Sequence, residues 1–248
     1  MRLVWTLALG GVLLGQATPA FEVASVKLDP YDGQGNIGIG FNGNRLHVQH
    51  QSLGSMVIFA YGVEDYQVSG GPAWVHSRDI YGPDVYEVMA KAEGDAAPTE
   101  QQFRQMLQTL LAERFQLRIH REMKELPAYE LVVAKNGPKV KPAAGDAKAF
   151  TNWRAGRLSS SYSAKKTSMA TLAWMLKSQV ERPVIDKTGL TGSYDFDLTY
   201  APGNPPPAEA TAPSIFTAVQ EQLGLKLEST KASFPLIVVD SAERPSGN

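Results

Sequence analysis

Between Thr99 and Lys135 the apolar and polar positions follow a helix and then two strands. Phe103, Met106, Leu107, Leu110, Leu111 and Phe115 recur at the spacing of one helix face. Thr99 and Gln102 have the spacing of a capping box. Leu117 and Ile119 alternate with Arg118 and His120, which predicts a half-buried strand. Glu125-Leu-Pro127 predicts a turn, and Tyr129–Val133 a second strand. The same plan returns later. Ile215, Val219 and Leu223 form a stripe, Gly224 ends the helix, Leu225 and Leu227 alternate, and Phe234-Pro235 leads into Leu236–Val239. Leu117 to Pro127 and Leu225 to Pro235 have equal spacing, as do Tyr86 to Leu117 and Tyr194 to Leu225.

The rest of the chain fits two copies of one module. Phe21–Val26 predicts an opening strand. In the first copy, Arg45–Gln51 is a strand, Ser52–Gly62 a helix, Tyr66–Val68 a short strand and Tyr86–Ala90 another. In the second, strand positions at Gly156–Leu158 and Ser161–Tyr162 precede a helix opened by Ser168 that runs through Trp174, Met175 and Val180. Pro183–Ile185 and Tyr194–Leu198 then read as strands. The expected fold is α+β: two tandem two-layer α/β sandwich modules of β-α-β-β-α-β-β type, an internal duplication. The expected division is a signal peptide at 1–20, a first repeat with its N-terminal strand at 21–135, a linker at 136–152 and a second repeat at 153–248.

Composition narrows the chemistry. The formal net charge is -1, and losing the leader with Arg2 makes it -2, so no global basic field invites nucleic acid. The absence of cysteine excludes disulfides, thiol catalysis and Cys-ligated metal sites. Arg2, the apolar run Leu3–Leu14 and the small residues Thr18-Pro-Ala20 predict export with cleavage before Phe21. The run is too short to span a bilayer, and no membrane span is expected after cleavage. The expected location is the periplasm or the medium.

Gly33-Gln-Gly35-Asn-Ile-Gly38 is formally a G-x-G-x-x-G match. The residues after it have strand character, so the strand-to-helix frame needed for a dinucleotide is missing, and no cofactor is expected. Asp29 and Asp32 lack the alternating ligands of a calcium loop, and no metal is expected. His47, His50, His76 and His120 read as surface histidines, with no metal-binding spacing among them. Asp195 and Asp197 share one strand face, either as an acid–base pair or as the solvent side of a strand whose core side holds Phe196. The second reading is preferred. Asp186-Lys187-Thr188 opens a turn that either holds an anion on its amides or simply closes a hairpin. Trp74, Trp153 and Tyr162 are core residues or the lining of a binding surface. The candidate binding residues are Trp74, His76, Asp186, Lys187 and Thr188, and no catalytic set is assigned.

Phe21–Lys27, Ser69–Trp74, Leu111–Phe115 with His120-Arg-Glu122, Val184–Gly192 and Gln222–Leu225 resemble, in order, the exported soil-associated family of bacteria. That family has no established activity, so the resemblance implies export and an unassigned role. Ile80–Asp84 departs from the family pattern as an insertion. Each repeat is also similar in topology to the short N-terminal domains of secretins and TonB-dependent receptors, which implies protein docking. The leading expectation is therefore a non-enzymatic binding protein with a protein partner in the cell envelope. One alternative is a hydrolase of an extracellular polymer using Asp186, Asp195 or Asp197. The other is a sensory or inhibitory ectodomain.

Overall fold

The computed structural model describes residues 18–77, 79–144, 148–203 and 205–246. The expected leader falls largely on residues outside this set. In chain order the elements are β1 (Val23–Leu28), β2 (Gly38–Asn42), β3 (Arg45–Ser52), α1 (Leu53–Tyr61), β4 (Val68–Gly70), β5 (Val85–Lys91), α2 (Glu100–Arg114) and β6 (Arg118–Val133). There follow β7 (Lys141–Pro142), β8 (Phe150–Arg154), β9 (Ser160–Thr167), α3 (Met169–Val180), β10 (Val184–Asp186), β11 (Tyr194–Tyr200), α4 (Ile215–Leu223) and β12 (Leu225–Ser241). The mixture of helices and sheets is the expected α+β class.

The helices start for one local reason. Ser52, Thr99, Ser168 and Ser214 each occupy the N-cap, and each side-chain oxygen accepts from the backbone N–H three residues on. At Thr99 the capping box is complete, because Gln102 Oε1 accepts the Thr99 N–H at 2.8 Å.

The chain forms two compact units, residues 1–122 with 236–248 and residues 123–235. In the first, β1-β5-β3-β2 make an antiparallel sheet. Against it pack Leu53, Met56 and Val57 of α1 and the whole predicted stripe of α2, Phe103 to Phe115. In the second, β7-β11-β9-β8 make an antiparallel sheet with the same order, position for position. Its core holds Met169, Leu172 and Leu176 of α3 with Ile215, Val219 and Leu223 of α4.

The largest departure from expectation concerns the two prolines. Glu125–Pro127 is not a turn: β6 runs unbroken from Arg118 to Val133, and β12 runs unbroken through Pro235. A proline fixes φ at a value compatible with extended backbone and removes only one donor, so a strand passes through it where that donor is not required. Each strand thereby leaves one unit and enters the other. In unit 1, β12 pairs in parallel with β4, Val68 opposite Ile237, and Ile237 and Val239 join the core. In unit 2, β6 pairs in parallel with β10, Tyr129 opposite Val184. The compact units therefore exchange chain ends relative to the sequence division at 135 and 153. Residues 136–152, read as a linker, carry β7 and the start of β8.

Smaller differences follow from local geometry. Tyr66 lies in a 3-10 turn, Asp65–Gln67, and the strand begins only at Val68. The segment Ile80–Asp84 has a defined course, with Tyr31 N–H bonded to the Ile80 carbonyl and Tyr81 packed on Tyr31 at 5.6 Å between rings. His50 is not a surface histidine. The register of β3 slips between Val48 and Gln51, and His50 takes a left-handed φ of 52° that turns its ring inward. Its Nδ1 donates to the Asp29 carbonyl at 3.0 Å.

Candidate functional site

A concave site lies wholly in unit 2. Cross-strand register aligns Trp153 of β8, Tyr162 of β9 and Leu198 of β11 in one row. Together with Leu172, Trp174, Met175, Leu176, Ser178 and Gln179 of α3, Tyr200 and Ile215, this row lines a cavity of about 240 Å³. The lining is aliphatic and aromatic with few polar groups, the usual make-up of a ligand pocket.

Two tryptophans at its mouth are exposed, Trp153 by 53% and Trp174 by 61%. Trp153 is nevertheless held in one orientation, because its indole N–H donates to the Tyr200 hydroxyl at 3.2 Å. Tyr200 is buried, and burial pushes its phenol up, so it stays neutral and able to accept. An exposed ring with a fixed edge is a preorganised contact surface. Beyond it, β8 is the terminal strand of its sheet, so among the described residues one row of its backbone groups has no ladder partner.

Sequence reasoning singled out Trp153 and Tyr162 and missed the rest. It placed Trp174 in the apolar run of its helix. The buried face is Met169, Leu172, Ala173, Met175, Leu176 and Val180, and Trp174 is not part of it. A large aromatic residue off that face was the available signal. Tyr200 carried none, since its role depends on the fold that brings it to Trp153.

The candidate residues named from sequence do not assemble into one site. Trp74 belongs to unit 1, in the 3-10 turn Ala73–His76, packed against the core with the Arg244 guanidinium 4.9 Å above its ring. Arg244 in turn holds the buried Asp84 carboxylate at 2.6 and 3.0 Å. His76 is exposed and donates through Nε2 to the Gly70 carbonyl at 2.5 Å. Asp186 accepts from the N–H and hydroxyl of Thr188 at 3.0 and 2.8 Å, and Thr188 Oγ1 accepts the Leu190 N–H. Asp186 and Thr188 therefore close their own turn, while Lys187 donates its N–H to Leu131 of β6 and leaves its side chain exposed.

The acid–base alternative finds no support in the aspartates. Asp195 Oδ1 accepts the Lys166 N–H at 2.9 Å and Oδ2 lies 3.3 Å from Lys165 Nζ. The backbone bond chiefly holds this carboxyl below its ordinary value, opposed by burial and helped by the Lys165 side chain. A general acid needs the opposite shift. A depressed value stabilises the fold fully above the unfolded carboxylate value of about 3.9 and loses that contribution as pH falls through the lower folded value. Asp195→Ala should therefore lower the denaturation midpoint by a constant amount at neutral pH, and the difference should vanish in strong acid. An unchanged difference there would show that the carboxylate charge is not what matters.

Among the described residues no three His, Cys, Asp or Glu side chains form a metal cluster. Among them, too, no helix is long and apolar enough to cross a membrane. The sequence model of a family described as "Protein of unknown function (DUF3738)" matches residues 54–242, about three quarters of the chain. No curated protein and no solved structure matches it.

Proposed function

The chain belongs to the DUF3738 family, and from that premise we propose that it is an exported, non-enzymatic binding protein of the cell envelope. Its binding element is the aromatic groove of unit 2, which receives a large apolar group of the ligand. The carrying observation is Trp174, 61% exposed at the mouth of a cavity whose other aromatic wall, Trp153, is fixed by Tyr200. Exposed aromatic anchors beside a preformed apolar pocket supply most of the energy in many binding sites. The bonded states of Asp186 and Asp195 favour binding over hydrolysis.

The test uses an apolar anionic dye, anilinonaphthalene sulfonate, with the purified chain. Saturable binding at one site is expected, weakened about tenfold or more by Trp174→Ala, as for removal of an anchor residue, and unchanged by Asp195→Asn with Asp197→Asn. Dye binding indifferent to Trp174, or a hydrolytic activity lost with either aspartate while the fold persists, would overturn the reading. Export predicts that protein recovered from periplasm or medium begins at Phe21, read by intact mass.

A further inference from the structure

We infer that the partner is an extended acidic peptide segment that adds as a strand to the free edge of β8 and places one large apolar side chain in the groove. The inference rests on the binding reading above and names the ligand class for the same site.

Charge is the first argument. Residues 148–182, which supply β8, β9 and α3, contain seven basic residues, Lys148, Arg154, Arg157, Lys165, Lys166, Lys177 and Arg182, and one acidic residue, Glu181. The chain as a whole is nearly balanced, with 24 basic and 25 acidic residues. The positive charge is therefore concentrated on the segment that builds the groove. Lys165 is engaged by Asp195, and Arg182 lies over the Tyr129 ring. Arg154, Arg157 and Lys166 are exposed and, among the described residues, form no ion pair. An excess of basic side chains on this segment steers an acidic partner and rejects a basic one.

Geometry is the second argument. Among the described residues β8 pairs only with β9, with Trp153 opposite Tyr162. A strand added on the other side of β8 would place its side chains about 5 Å from those of β8, alternating between the two sheet faces. The side chain beside Trp153 would then lie on the groove face and reach the cavity lined by Trp153, Tyr162 and Trp174. Main-chain bonds give such a complex its affinity, and the pocket gives it its register. Phe150 and Trp153, 54% and 53% exposed, lie on this strand and would lose solvent on addition.

The probe is a short capped peptide alternating Glu and Thr about one central Phe, titrated into the purified chain by tryptophan fluorescence and calorimetry. Binding is expected, weakening as salt rises because the exposed charges are screened. Arg154→Glu with Arg157→Glu, both exposed, should weaken it about tenfold or more while leaving the denaturation midpoint in place. A Lys-for-Glu peptide should not bind, nor should the acidic peptide with its backbone N-methylated on alternate residues. If the basic peptide binds equally well, or the N-methylated peptide binds undiminished, the strand-addition inference fails. If no peptide binds while the dye still responds to Trp174→Ala, the groove is a small-molecule site and only the partner class is lost. If the dye also ignores Trp174→Ala, the binding reading itself fails.

Discussion

Phe115→Ala should remove about 3–5 kcal/mol of stability, the cost of truncating a fully buried aromatic residue. Phe115 has no exposed surface and meets Tyr86 edge to face at 5.0 Å between ring centres. It is the C-cap of α2, and its carbonyl accepts the Glu243 N–H at 2.7 Å. Removing the ring thus opens a void at the point where helix, sheet and C-terminal segment meet. Among the described residues the buried Tyr86 hydroxyl has no hydrogen-bond partner. Urea denaturation gives the value. A change under about 1 kcal/mol at constant m-value would mean that the cavity collapses and that Phe115 is not the joint between these elements.

Gly224→Ala should cost about 2–5 kcal/mol, combining the left-handed penalty for a residue with a Cβ and the cost of overpacking. Gly224 ends α4 at φ 65°, and its N–H bonds the Val219 carbonyl. An added Cβ would collide with the Gly137 carbonyl and lie 2.8 Å from the Lys139 backbone nitrogen. Neither moves freely, because Lys139 N–H donates to the Leu223 carbonyl and Gly137 N–H to that of Ala134, whose own N–H donates to the Gly224 carbonyl. Gly189 is the control. It has nearly the same φ, 67°, but open space where a Cβ would go. Gly189→Ala should cost only the backbone term, about 1 kcal/mol. Equal losses at the two sites would show that the close approach of residues 137–139 is not rigid.

What could be read from sequence was what depends on neighbours in the chain. The stripes of α2 and α4 and the caps at Thr99 and Gly224 are set by spacings of one to five residues, and they fold as the spacing predicts. The placing of Phe196 on the core side, with Asp197 outward, follows from alternation alone. The failures are all tertiary. Pro127 and Pro235 resemble turn residues until the neighbouring strands show that the chain continues. His50 faces inward because of a register slip that no local pattern announces. Asp84 and Arg244 are 160 positions apart, and Trp153 and Tyr200 are 47 apart. No short-range spacing rule links such pairs, so the salt bridge and the fixed wall of the groove were out of reach.

The passage of β12 from one unit to the other has a consequence for the order of folding. Val239 and Ala242, made among the last residues of the chain, lie in the core of the unit whose sheet was made first. That unit must wait, once its own β1–β5 are synthesised, for a strand that arrives only after the whole second unit. Contacts this distant in sequence are slow to form, and an unfinished sheet exposes apolar surface meanwhile. A chain cut within residues 136–152 would lack the strand that completes the core of the first unit.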